Sequence, residues 1–173
     1  MSTTRYAFWY EPTGEVYSYL KYLIIQLSAK YNSPIFEPHI TLLPGGTDLD
    51  KESVINKLRV AISESNPFET KLTTYDYLDD FFKCIFLRVD KSSSVMNFCS
   101  SIQTAFNSQP TTDFTPHLSV LYGQIANEEK EKIISRLGME YQKSFIIEKV
   151  DIIEYKMGEP PETWKKIESI LVK

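Results

Sequence analysis

The chain holds two histidines, and both stand in the same setting: Pro38-His39-Ile40-Thr41 and Pro116-His117-Leu118-Ser119. In an extended strand, residues two apart project from one face. His39 with Thr41, and His117 with Ser119, therefore each offer an imidazole and a hydroxyl on one side, while Ile40, Leu42, Leu118 and Val120 turn to a core. Histidine is the side chain whose ordinary pKa lets it give or take a proton near neutral pH. One neutral imidazole would take a proton from an attacking water and a protonated one would supply the leaving oxygen, while Thr41 and Ser119 donate hydrogen bonds to the oxygens of a phosphodiester. The assignment leans towards His117 as base and His39 as acid. Tyr122 lies three residues past Ser119, on the opposite side by strict alternation, and reaches the phosphate only where the strand ends or bends before Gly123. Trp9 and Phe82 are the candidates for stacking on a nucleobase, Trp9 ranked first.

The elements that must carry these residues are expected twice in the same order. Tyr6 to Tyr10 reads as a strand; Val16, Leu20, Leu23, Ile24 and Leu27 make one face of a helix; Ile40 to Leu43 is a strand closed by Pro44-Gly45-Gly46. Thr47 or Asp48 caps a helix striped by Val54, Ile55, Leu58, Ala61 and Ile62, and Phe68 to Leu78 is extended. Cys84 to Val89 begins the second round. Ser92 or Ser93 caps a helix with Val95, Cys99, Ile102 and Phe106 inward, Pro110 and Pro116 lead into a strand from His117 to Tyr122, and Asn127 caps another helix. Ser144 to Tyr155 is one extended run, and Trp164 to Val172 a last strand without a counterpart in the first half. The offset between the motifs, 117 − 39 = 78, also carries Arg5 to Lys83 and Phe68 to Ile146. The chain thus reads as one α+β domain over 1–173, of two halves near 1–80 and 81–173, whose equivalent strands lie side by side along a cleft.

Composition narrows the partners. A net charge of −4 and a pI near 5.3 do not suit a protein that neutralises many phosphates of a long nucleic acid, so a small ligand is expected. Cys84 and Cys99 match neither a disulfide framework nor a metal-ligand spacing and read as buried thiols; no metal and no cofactor are expected. No apolar stretch approaches the length of a membrane span, and the N-terminus lacks the pattern of a secretory signal. A monomer in the cytoplasm is expected, a setting that leaves room for peripheral association with an internal membrane such as the Golgi.

The paired His-x-Thr/Ser motifs, HIT at 39–41 and HLS at 117–119, resemble the mark of the 2H phosphoesterase superfamily. Within it the chain is similar to the fungal and plant cyclic phosphodiesterases, in AFWYEPTGEV, PIFEPHITL, FFKCIFL, TPHLSVLYG with the acidic NEEKEK, and ETWKKIESI. The resemblance implies a bilobal fold: two pseudo-two-fold-related antiparallel-sheet lobes with outer helices around a central groove, each lobe giving one motif. It also implies hydrolysis, without metal, of ADP-ribose 1″,2″-cyclic phosphate to ADP-ribose 1″-phosphate and of nucleoside 2′,3′-cyclic phosphates to 2′-phosphates, downstream of tRNA splicing. Alternatives are an RNA end-processing relative (a 2′,5′ RNA ligase or an exonuclease), a nucleotide-binding module without catalysis, and an interaction protein whose histidines are core residues.

Overall fold

The structure, a computed structural model, describes residues 4–108 and 114–173. Pro110, expected to lead into the second motif, lies outside the described residues. The chain forms β1 (Thr4–Tyr10), α1 (Gly14–Tyr31), β2 (Ile40–Thr41), α2 (Lys51–Ala61), β3 (Phe68–Asp76), β4 (Ile85–Val89), α3 (Ser93–Ala105), β5 (His117–Leu121), α4 (Asn127–Leu137), β6 (Glu140–Ile147), β7 (Lys149–Lys156) and β8 (Lys165–Leu171). Short 3-10 turns at Phe81–Lys83 and Pro161–Thr163 precede β4 and β8. All strand pairs are antiparallel, in one sheet ordered β6-β3-β4-β5-β2-β1-β7-β8.

That order is symmetric about the β5–β2 seam, which places the two motif strands side by side as the repeat requires. The symmetry is not one of sequence halves, however. β3, from the first half, pairs with β4 from the second, and β7, from the second, pairs with β1 from the first. Each side of the sheet is therefore completed by a strand of the other half. Phe68 and Ile146, linked by the 78-residue offset, both sit on the β3–β6 side, where Phe68 faces Ile147 and Glu69 faces Ile146. The offset holds for the motif strands and fails for the strands that cross over.

The run expected from Ser144 to Tyr155 is two strands, parted by Glu148 alone. β6 and β7 are six positions apart in the sheet, about 28 Å if it were flat. Two residues reach only about 7 Å. The sheet must therefore curl until its β6 and β7 flanks meet at Glu148, whose carbonyl also accepts the Val172 amide at 2.8 Å.

The helices cover one face. Phe8, Tyr10, Ile40, Leu42, Leu118 and Val120 alternate into a core with Leu20, Ile24, Val54, Leu58, Val95 and Ile102, and each such aliphatic side chain contributes about 1.5–3 kcal/mol by leaving water. Cys84 and Cys99 are buried free thiols, as expected. Two caps differ from expectation. Asp50 rather than Thr47 or Asp48 caps α2, accepting from the Ser53 amide at 3.0 Å, because Thr47 is engaged in a bridge with Tyr6. Asn127 is the first residue of α4 and accepts from Lys130 Nζ, leaving Ala126 at the cap. Ser92 caps α3 as read. Among the described residues no helix is long and apolar enough to cross a membrane.

Candidate active site

The site lies on the sheet face turned away from the core cluster, where Trp9, Phe86 and Ile153 are buried outside that cluster. It is built on the seam. Ile40 is directly paired with Leu118, and both point into the core. Carrying this antiparallel register one residue either way sets His39 opposite Ser119 and Thr41 opposite His117. Opposed residues share a face, with about 5 Å between β-carbons, and diagonal ones are about 7 Å apart. The two imidazoles and two hydroxyls thus form a square, histidines on one diagonal. The flanking strands extend it. Asp151, Trp9, Thr41, His117 and Arg88 make one row across β7, β1, β2, β5 and β4, and Ser119, Phe86 and Asp76 lie in the next.

Both imidazoles are held alike. His39 Nδ1 lies 2.6 Å from the Glu37 carbonyl, and His117 Nδ1 lies 3.0 Å from the Thr115 carbonyl, each two residues back. A carbonyl only accepts, so Nδ1 carries the hydrogen in each ring and Nε2 is the working nitrogen. Glu37 is itself fixed by Lys21 at 2.6 Å and by the Tyr17 hydroxyl at 2.5 Å. Burial pushes the His39 pKa down to about 4, the Glu37 carbonyl partly opposing this and the nearby His117 adding to it. Burial also lowers His117, opposed by the Thr115 carbonyl, with Lys83 lowering it further and Asp80 raising it. Two rings that disfavour each other's charge are suited to carry one proton between them. His39, the more buried, is neutral throughout the physiological range in the free site. The leaning towards His39 as acid therefore has no support from burial.

The remaining candidates separate. Thr41 is half-buried, with no side-chain hydrogen bond among the described residues, so its hydroxyl is available to a ligand. Ser119 is buried and donates to the Phe82 carbonyl at 2.7 Å, so it must turn before it can donate to a phosphate. Tyr122 belongs to the core: its ring stacks on Phe36 at 3.7 Å, and burial raises its pKa. Alternation was the correct guide there. Trp9 stacks on His39, centroids 3.6 Å apart at 12°, meets Trp164 edge-on at 5.6 Å and is 6% exposed. With the imidazole on one face and so little exposure, the indole leaves little surface for a nucleobase, which removes the ground for ranking Trp9 first. Phe82 is 50% exposed, with Phe81, Tyr122 and Trp164 around it. Sequence reasoning missed Trp164 as part of this wall, reading it only as the start of a strand. It also missed Arg88, whose charge inside the apolar run Cys84–Val89 was the available signal. Among the described residues no three His, Cys, Asp or Glu side chains gather as a metal-ligand set.

Comparison with known proteins bears on the family and the fold. A curated cyclic phosphodiesterase of Arabidopsis thaliana is 27% identical over 126 residues, which cover 73% of this chain and 69% of that protein. The crystal structure of Escherichia coli LigT complexed with 3′-AMP superposes with a TM-score of 0.63 over 98% of each chain at 11% identity. That of the Thermus thermophilus protein TT0787 gives 0.67 over 99% of this chain and 98% of the other, at 15% identity. At such identities these two show the fold alone. The 2′-5′ RNA ligase superfamily matches residues 26–159, a span that holds both motif strands and the seam between them, and the chain belongs to that superfamily of 2H phosphoesterases.

Proposed function

We propose that this protein is a cyclic phosphodiesterase that opens nucleoside 2′,3′-cyclic phosphates to 2′-phosphates by paired-histidine acid–base catalysis, without a metal ion. The observation that carries the reading is the square of His39, Thr41, His117 and Ser119, with bonds at Nδ1 that leave both Nε2 atoms without a hydrogen-bond partner among the described residues. One neutral Nε2 takes a proton from water as the water oxygen bonds to phosphorus. The other, protonated, gives its proton to the 3′-oxygen as the P–O3′ bond breaks, so the sum is addition of one water. Thr41 Oγ1 donates to a non-bridging oxygen where negative charge gathers, and Ser119 does so once it leaves the Phe82 carbonyl. The exposed Phe82 ring, with Trp164 beside it, offers the base a stacking surface.

The same site suits ADP-ribose 1″,2″-cyclic phosphate, opened to the 1″-phosphate, since the reacting group is again a five-membered cyclic phosphate on a ribose. The name of the Arabidopsis relative supports a cyclic phosphate as substrate. A role downstream of tRNA splicing follows if that ADP-ribose derivative is the working substrate.

The test is turnover of adenosine 2′,3′-cyclic phosphate and of ADP-ribose 1″,2″-cyclic phosphate in the presence of EDTA, with identification of the phosphate isomer formed. His39→Ala and His117→Ala should each lower kcat by about 10²–10⁴-fold. Unchanged turnover in either variant overturns the mechanism. Loss of activity in EDTA overturns its metal independence.

A further inference from the structure

We propose that Arg88 forms a second anion subsite beside His117, taking a phosphate of the substrate other than the one under attack; this rests on the cyclic-nucleotide reading above. Arg88 is the direct cross-strand partner of His117 and shares its face of the sheet, on the side away from Thr41. It is an isolated cation in β4, whose other members, Ile85, Phe86, Leu87 and Val89, are buried. Packing of the strand gives no reason for a charge at that position.

Its guanidinium is oriented rather than loose. Nη2 pairs with Asp76 Oδ2, and Asp76 is the cross-strand partner of Phe86, whose ring meets the His117 ring edge-on at 5.2 Å. A guanidinium has five N–H donors in a fixed fork. The carboxylate engages it through Nη2, and no other side-chain partner binds it among the described residues, so donors remain for the oxygens of a second anion. Arg88 is 48% exposed and Asp76 29%, so the pair opens to solvent where a substrate extending past His117 would arrive. The other charged groups here are Lys83, which also favours an anion, and Asp80, which opposes one but is turned to the amides of Phe82 and Lys83.

The probe is adenosine 2′,3′-cyclic phosphate with a 5′-hydroxyl against the same nucleotide with a 5′-phosphate. Wild type should favour the 5′-phosphorylated form in kcat/KM by about tenfold or more, the worth of one charge-assisted contact. Arg88→Gln should bring that ratio close to one. Arg88→Lys, which keeps the charge and loses the fork, should give an intermediate ratio, and decides the point if the glutamine variant does not fold. Asp76→Asn, which frees the occupied edge of the fork, should maintain or raise it. A ratio near one in wild type, or one unchanged by both Arg88 substitutions, overturns the subsite. The same comparison by calorimetry with adenosine 2′-phosphate and adenosine 2′,5′-bisphosphate decides the subsite independently of hydrolysis. Absence of turnover with both cyclic substrates overturns the reaction reading instead, with the binding ratios still deciding Arg88.

Discussion

At the scale of the residue, the two histidines differ in how far burial has shifted them, and this sets the pH at which the site works. Both pKa values lie below the ordinary value near 6.5, that of His39 at about 4. Catalysis needs one ring protonated and one neutral, so kcat/KM should peak below pH 6.5 and decline as pH rises further and the required proton is lost. A pH–rate profile with its maximum above pH 7 contradicts this. Trp9 covers one face of the His39 ring. Trp9→Ala should expose the imidazole and raise its pKa towards 6.5, a movement that an NMR titration of the ring proton follows directly; an unmoved pKa means that the stack does not control the ring. The His-x-Thr/Ser spacing was legible because a strand has period two. The Trp9–His39 stack was not, because it joins β1 to the residue before β2, and sequence spacing says nothing of which of two candidate faces a ring covers.

At the scale of the element, the turn after β2 is the most tightly specified. Gly46 has φ +62°, and a Cβ there would lie 2.5 Å from the Tyr6 carbonyl oxygen and 2.8 Å from the Tyr155 hydroxyl. Gly45, at φ +74°, would bring a Cβ within 4 Å of no atom among the described residues. Gly45→Ala should cost about 1–2 kcal/mol from the left-handed backbone alone, and Gly46→Ala clearly more, since a backbone oxygen must also move. Thermal melts of the two variants check the order, and equal losses would remove the steric argument. Pro44-Gly45-Gly46 announced the turn in sequence, and Leu20, Leu23, Ile24 and Leu27 announced α1. The α2 cap was misread because Thr47 and Asp50 are both good capping residues, and only the bridge from Tyr6 to Thr47 decides between them.

At the scale of the whole molecule, the doubled order of elements correctly placed β2 beside β5, yet the division near residue 80 is not a structural one. Cutting there leaves β1 without β7 and β4 without β3. Fragments 1–80 and 81–173 should each lack a cooperative unfolding transition alone, and regain helical and strand signal by circular dichroism only when mixed. Independent folding of either fragment contradicts the exchange of strands. No periodicity could have revealed this exchange, because each strand is equally well satisfied, in its own pattern, by a neighbour from either half.

The pairing of β1 with β7 also bears on how the chain is made. Thr4 meets Lys156, so β1 leaves the ribosome well before the strand that covers that side of it has been made. Until then Phe8, Trp9 and Tyr10 form an aromatic edge with unpaired backbone groups, the kind of surface that recruits other chains. Contacts so distant in sequence also slow folding. The span of synthesis between residue 10 and residue 156 is therefore when β1 is most exposed to aggregation, and when a chaperone holding that strand would most improve the yield.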